Sequence, residues 1–564
     1  MIKNKDTIYS SIFVLIVLQY IFIRFNGSFH SLFMYNLKFY AYNLFENDFY
    51  LKNSLSLKTS ILYPILKFSK INFDNDYVGF FIHLIFSIFN GFVIFQIIRK
   101  HLNIQLLSNI LLICVVLIAC DNFFIEANRG SWIISHTNSP TYFAKTFCLL
   151  SIYFLLEKKI IYSILSLSFT LLLHIKVGWV LVPIFFLFFL LNSDIRKKIF
   201  LMILPLICVF LLSGKESLVD SYEFKKYLFE IAVDRDGIEG SFKFQPIYKN
   251  IALFISFFIF FFLNQKEEKL KKFNYIVLFV SSGLFIFNII YVKYLGNFFP
   301  DPRVIIMGIP RALELYETFF WLMIFKTILN LKIDISIKVL SITGLFFLLI
   351  FTLKSIILSL MIFILIFLIF IIIKIDKFKK IIFYLNEYVY LMSFLLILFG
   401  SSYSFYKNIK YDFNSYAFDK TNKWTIQYLN KDYAYRFDSA LSLKNCDDFI
   451  LEDVDVSNKA TNYVSNKSKL FGNVHYNYLN IKFIQEHFSR IKIKKEIFSN
   501  IDNQKDFSDA LIQKLKNYKL SIISREKVSQ LFNSKNKISL NNSDVITVFD
   551  DVEFKKIKKC LKII

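Results

Sequence analysis

The sequence predicts an all-α polytopic membrane protein of about 13 helices with a C-terminal extracytoplasmic α/β domain. Three observations predict it. Of 564 residues, 55% are hydrophobic and the mean hydropathy is +0.49, values that exclude an ordinary soluble enzyme. Apolar runs of bilayer length follow one another as far as Phe399, with basic residues gathered in alternate loops between them. Beyond Phe399 the chain turns polar and charged over a length that suits one small domain.

A bilayer core about 30 Å thick takes roughly 20 mostly apolar residues per helix. Runs of about that kind bounded by charge are Ile8 to Ile23, Val78 to Ile98, Leu106 to Phe124, Thr141 to Leu156, Ile161 to Leu173, Val177 to Leu191 and Ile199 to Leu212. They continue with Ile251 to Leu263, Tyr275 to Val292, Ala312 to Leu329, Val339 to Leu353, Ser355 to Ile373 and Ile381 to Phe399. Several are short. The charged Met1 to Asp6 before the first run resembles a signal peptide, but no small-residue cleavage site follows, so it reads as a retained span. The abundance of Phe (70) and Tyr (32) over Gly (14) and Pro (8) suits apolar helices and excludes linker-like low complexity.

Lys plus Arg (67) exceed Asp plus Glu (43), giving a net charge of +24. In a membrane protein the position of that charge matters more than its sum, so no nucleic-acid partner is expected. Clusters lie at Arg99-Lys100, Lys158-Lys159, Arg196 to Lys198, Lys266 to Lys272, Lys332 with Lys338, and Lys374 to Lys380. By the positive-inside rule these loops are cytoplasmic, and so is the N-terminus. The first outer loop, residues 26–77, carries five lysines against the trend, which long loops tolerate. Residues 1–400 therefore form the transmembrane part and residues 401–564 lie outside the membrane as an extracytoplasmic domain.

In the external segment Leu479 to Ile484, Leu520 to Ile523 and Val545 to Phe549 read as strands. Phe507 to Leu515 and Arg525 to Phe532 have helical spacing, the latter with Ser524 as N-cap. Six cysteines are too scattered for a disulfide framework, and none has zinc-site spacing. In an oxidising compartment Cys446 and Cys560 either pair or stay as two unrelated thiols; spacing leaves both open.

The most informative stretch is Glu46-Asn47-Asp48 with its aromatic flanks, in the first outer loop. Two carboxylates separated by one residue can share a divalent cation such as Mg or Mn, or one can serve as general base while the other orients it. The alternative is a solvated acid pair. In the second outer loop Glu126 and Arg129 stand three apart, beside Asp121 and His136, and either pair with each other or leave Arg129 to grip a phosphate bidentately. His174, Lys176 and Gly178 lie where two spans meet. Lys176 and His174 there suit a lipid phosphate, against a snorkelling lysine and a packed histidine. Prolines flank Asp301 and fix a turn that presents Arg303, while Arg311 opens the next span. Asp234-Arg235-Asp236-Gly237 lacks the closing ligands of a calcium loop. No Walker A run, GxGxxG or GxSxG is present, which argues against a nucleotide-driven pump.

This layout resembles the integral-membrane glycosyltransferases of the GT-C fold. The likeness covers Met1 to about Phe399 in architecture, and only Glu46-Asn47-Asp48, as an ExD triplet, in residues. It implies a sugar donor linked to polyprenyl phosphate, chemistry on the outer face, a second acid in Asp121 or Glu126, and phosphate binding by basic residues such as Lys176, Arg303 and Arg311. The expected function is therefore transfer of a sugar from that carrier to an unknown acceptor. Asp48 would be the base, Glu46 its partner or a metal ligand, and Arg129 a further phosphate-binding residue. The alternatives are a non-catalytic transporter or flippase for a lipid-linked glycan, predicted to carry charges in mid-membrane, or a cell-envelope assembly protein.

Overall fold

The computed structural model describes residues 2–24, 39–40, 43–54, 60–69, 76–102, 104, 106–120, 140–212, 268–301, 389–399, 442–454, 481–540 and 544–562, with isolated positions elsewhere. Its helices are α1 (Ile2–Arg24), α2 (Phe49–Lys52), α3 (Leu62–Ser69), α4 (Asp76–His101), α5 (Leu107–Cys120), α6 (Pro140–Leu156) and α7 (Ile160–Leu173). They continue with α8 (Ile175–Gly178), α9 (Leu181–Leu191), α10 (Ile203–Leu212), α11 (Glu268–Ile290), α12 (Ile481–Asp502), α13 (Asp509–Asn517) and α14 (Asp551–Cys560). Short helical turns lie at Ser193–Arg196, Gly296–Phe298, Glu526–Ser529 and Gln530–Phe532, the last two where helical spacing was expected, and the strands are β1 (Ile450–Asp453), β2 (Leu520–Arg525), β3 (Lys537–Ser539) and β4 (Asp544–Val548). The chain is mostly helical with this one small sheet. It divides into two compact units: residues 1–28, 77–214 and 221–414 form the first, and residues 29–76, 215–220 and 415–564 the second.

In the first unit the apolar runs that fall within the described residues are helical. Among the described residues two, Phe81–His101 and Lys272–Phe298, are long and apolar enough to cross a membrane by length and composition. Others, such as Pro140–Leu156 and Ile160–Leu173, are apolar but only 10–17 residues long, so the full expected set of spans is not seen. Three causes are visible. The extended backbone of His174 starts the next apolar helix afresh, so that it runs only from Ile175 to Leu191, and the run from Ile199 opens with a 3-10 turn at Ile199–Met202 before α10. The expected spans at Ile251 to Leu263 and Ser355 to Ile373 lie outside the described residues.

Helix α6 opens with Pro140, whose missing N–H costs nothing in a first turn. Ten of its residues are buried, from Tyr142 to Leu155. Its neighbour α7 packs against it, with Phe147 and Phe169 ring centroids 4.6 Å apart and Ser163 Oγ donating to the Ser151 carbonyl at 2.7 Å. Helix α4 runs parallel to α6. The Ser87 and Tyr142 hydroxyls meet at 2.8 Å near one end, and Lys100 donates to Tyr153 and Glu157 at the other.

In the second unit the strand order is β1-β2-β4-β3, with β1 parallel to β2 and the other pairs antiparallel. Side chains alternate across β2, so Leu520 and Ile522 face one layer and Ile523 the other. The first layer is closed by Ile493 and Ile497 of α12 with Leu511 and Leu515 of α13. Ile557 of α14 packs in the opposite layer with Ile546, Val548 and Ile538. Of the expected strand at Leu479 to Ile484, the described part from Ile481 is instead the start of α12. Phe483, Ile484, His487, Arg490, Ile493 and Ile497 are buried at helical spacing, a period that six residues alone do not reveal. Ser524 is not an N-cap but a buried residue of β2. Ser508 caps α13 by accepting from the Leu511 N–H.

Cys446 and Cys560 form a disulfide, with Cα atoms 5.6 Å apart across 114 residues of sequence. It fastens the end of α14 to the segment that enters β1. Cross-linking a loop of this length lowers the entropy of the unfolded chain, by about 4 to 5 kcal/mol in the chain-entropy model. Cys446→Ser in the full-length protein is therefore expected to lower the urea midpoint of this unit by a corresponding amount. An unchanged midpoint would show that α14 is held by its apolar layer alone.

Candidate functional site

The ExD triplet lies in the second unit on a tight turn. Phe45 has a positive φ of 61°, and the Asp48 N–H donates back to the Phe45 carbonyl at 2.9 Å. A non-glycine residue in that region needs its surroundings to hold it, and Phe45 is fully buried. Glu46 and Asn47 stand at the exposed tip.

The two carboxylates have different surroundings. Asp48 is fully buried and caps α2, its Oδ1 accepting from the N–H groups of Tyr50 at 2.8 Å and Leu51 at 3.0 Å. A carboxylate at a helix start satisfies orphan amides there. Glu46 keeps its carboxylate in solvent. Among the described residues no group of three or more His, Cys, Asp and Glu side chains is arranged to hold a metal ion.

Residues from the C-terminal segment hold this turn. The Asn47 backbone N–H donates to Asp448 Oδ2 at 2.8 Å, and its amide Nδ2 donates to the Asp448 carbonyl at 3.0 Å. Asp448 also accepts from the Ser468 N–H and hydroxyl, at 2.9 and 2.6 Å. Phe49 stacks on Phe483 of α12 with centroids 5.1 Å apart, and the Arg490 guanidinium lies 4.4 Å from the Phe49 ring centre. Such cation–π contacts strengthen when water is excluded, and Arg490 is 7% exposed. Arg490 is fixed further by Glu486 at 2.7 Å and by the Leu470 carbonyl.

The fully buried Tyr50 hydroxyl and His487 Nδ1 share a hydrogen bond of 3.0 Å. Burial, and then the nearby Arg490 charge, hold the His487 pKa below its ordinary value and favour the neutral ring. Close by, burial lowers Lys467 to about 8, and its Nζ donates to the Cys446 carbonyl at 2.8 Å. Asp448, His487 and Arg490 were not found from sequence. Asn47 and Asp448 are 401 residues apart, and no local pattern marks such a pair.

In the first unit α7 ends at His174, whose extended backbone breaks the helix before α8. His174 and Lys176 are half-buried there, and α8 folds back against α6 and α7. Gly178 permits that fold. A Cβ on it would lie 2.8 Å from Leu171 Cγ and 3.0 Å from its backbone N, so its close approach is to α7. Two cations missed as site candidates are Lys145 in α6 and Lys326, 1% and 4% exposed. The Pro300-Asp301 turn is pinned by Tyr291, whose hydroxyl donates to the Phe299 carbonyl at 2.8 Å and accepts from the Asp301 N–H at 2.9 Å. Asp121, Glu126, Arg129, His136, Arg303 and Arg311 lie outside the described residues.

Comparison with protein-family models, curated proteins and solved structures finds no match to this chain.

Two outcomes follow from this geometry. His487 gains stability from staying neutral, so its contribution is present above about pH 6.5 and declines as pH falls below it. Hydrogen exchange of amides 45–54, corrected for intrinsic rates, should quicken between about pH 8 and about pH 5 in the wild type and much less in His487→Gln. Equal acceleration in both would remove His487 as the cause. Separately, Gly178→Ala should destabilise the first unit by about 1 to 3 kcal/mol through overpacking, read as a lower thermal midpoint of the full-length protein in detergent. An unchanged midpoint would mean that Leu171 yields freely.

Proposed function

We propose that the chain is a membrane glycosyltransferase of about 13 spans that moves a sugar from a polyprenyl-phosphate carrier to an acceptor on the outer face of a bacterial inner membrane. The observation that carries this reading is the pair of carboxylates at Glu46-Asn47-Asp48, one exposed and one locked beneath it as a helix cap. The Cys446–Cys560 disulfide supports an extracytoplasmic place for the C-terminal segment, since such bonds persist in oxidising compartments.

Their surroundings exchange the roles expected of the two acids. Glu46 is the base and Asp48 the positioning residue that sets the turn. Glu46 takes the proton from an acceptor hydroxyl as that oxygen bonds to the anomeric carbon. The bond from that carbon to the carrier phosphate breaks, and its electron pair leaves on the phosphate. Cations such as Lys176, Arg129, Arg303 and Arg311 are proposed to stabilise the growing phosphate charge. A bound divalent cation has no cluster of ligands to hold it among the described residues, and no step here is routed through one.

A second reading, transport of a lipid-linked glycan without catalysis, is favoured by one specific observation. Lys145 and Lys326 are buried in apolar helical stretches, where ionisable groups mark pathways or binding sites. The two readings are separated by mass spectrometry of surface glycans and polyprenyl-linked sugars in a deletion strain. The transferase reading expects one sugar to be lost and its donor to accumulate, with rescue by wild type. Glu46→Gln, present at normal level, should restore less than about 1% of transfer, in keeping with loss of a general base. Full restoration by Glu46→Gln would overturn the catalytic assignment, and an unchanged glycan profile in the deletion would overturn the transferase reading.

A further inference from the structure

The Cys446–Cys560 disulfide lies within reach of solvent. Both cysteines are half-buried between more exposed neighbours, Asn445 and Asp447 beside the one and Lys559 beside the other. Disulfides enclosed in a core resist exchange, whereas accessible ones trade partners with other thiols.

What the bond holds on one side is the far end of α14. The first turn of this helix is fastened without it: Asp550 accepts from the N–H groups of Val552 and Glu553, and Asn536 Nδ2 donates to Asp551 at 2.7 Å. Beyond that turn the apolar grip is slight, with Ile557 buried and Phe554 and Leu561 only partly packed on the same layer. Without the bond α14 keeps its cap and its first contact, and its Cys560 end is free to swing about Asp551.

On the other side the bond leads to the turn that carries Glu46. Leu443 and Phe449 bracket Cys446 and Asp448 in sequence, and both are buried in the layer that Ile557 closes. The Cys446 carbonyl accepts from Lys467 Nζ at 2.8 Å, and Asp448 Oδ2 accepts from the Asn47 N–H at the same distance. A swing of α14 uncovers Leu443 and Phe449, so the segment between them loses the cover that fixes the direction of Asp448.

We propose that the Cys446–Cys560 pair is a thiol–disulfide exchange site for a dithiol, and that its reduction releases the turn at residues 43–54. A thiolate of the dithiol attacks one sulfur, the bond between the two cysteines breaks, and its electron pair leaves on the other sulfur, which takes up a proton. The second thiolate of the dithiol then attacks the mixed disulfide, and the remaining cysteine leaves and is protonated in its turn. The dithiol ends oxidised to a disulfide and the chain ends with two thiols. In an oxidising compartment the closed bond is the resting state. The switch is independent of what Glu46 does, because it is read from protection of the turn and not from turnover.

The test treats the full-length protein in detergent, at one fixed pH and without denaturant, with dithiothreitol as the dithiol. Free thiols are trapped with iodoacetamide and located by peptide mass spectrometry, which separates Cys446 and Cys560 from the cysteines of the first unit. Hydrogen exchange is followed in the oxidised, reduced and reoxidised protein. Both thiols should appear, and amides 45–54 and 555–560 should exchange about fivefold faster or more in the reduced form, while amides 520–525 of β2 keep their protection. Reoxidation should restore the slow rates. Cys560→Ser should exchange like the reduced wild type and no longer respond to dithiothreitol; where that variant is not monodisperse, the wild-type comparison decides. A bond that stays closed without denaturant, or one that opens and leaves amides 45–54 unchanged, would overturn the switch. Equal loss of protection in β2 would make the bond a staple of the whole unit and overturn it as well. A response kept in Cys560→Ser would place the effect at other thiols.

Discussion

The carboxylate of Asp448 joins parts of the second unit that are hundreds of residues apart in sequence. It accepts from the Asn47 N–H and from both donors of Ser468, and hydrogen bonds to an ionised acceptor are about twice as strong as neutral ones. Two residues before it Cys446 bonds to Cys560, and two residues after it β1 begins. One short segment thus anchors the last helix, the sheet edge and the turn that carries Glu46. With that anchor in place Phe45, Tyr50 and Leu51 are all fully buried. Without it the positive φ at Phe45 would lack the surroundings that enforce it.

Helices were legible in the sequence because a bilayer-length apolar run has few alternatives to helical structure, and α4, α6, α7 and α11 fall where the runs do. Strands β2 and β4 were legible as short apolar bursts in polar surroundings. The strand β1, Ile450–Asp453, was not, because half of its four residues are acidic and its pairing to β2 is set by tertiary contacts. The start of α12 misled for a related reason: over six residues a buried helix and a buried strand read alike, and only the spacing through Ile497 separates them. The triplet itself was legible as a motif, but its division of labour was not. Which acid is buried depends on a turn held by Asp448, His487 and Arg490, and no window around residue 46 contains them.

That division matters for chemistry. A carboxylate that accepts two amide hydrogen bonds is fixed in direction, which suits a residue that shapes a turn. An exposed carboxylate on that turn is free to meet a substrate hydroxyl, yet its backbone is constrained on both sides. Positional constraint of this kind reduces the ordering left to be done at the reaction step. The C-terminal segment thereby acquires a role the sequence alone did not give it, as the support of the loop that carries Glu46.

The helical unit follows the opposite logic, with its polar groups directed inward. Burying an ammonium group among apolar side chains is costly even when it is partnered, and apolar residues of similar volume often pack such positions at least as well. Lys145 is therefore poorly explained as a stabilising element of α6. Neutral serines elsewhere in the same bundle show the less costly solution: Ser163 and Ser151 satisfy backbone carbonyls at 2.7 Å and need no charge.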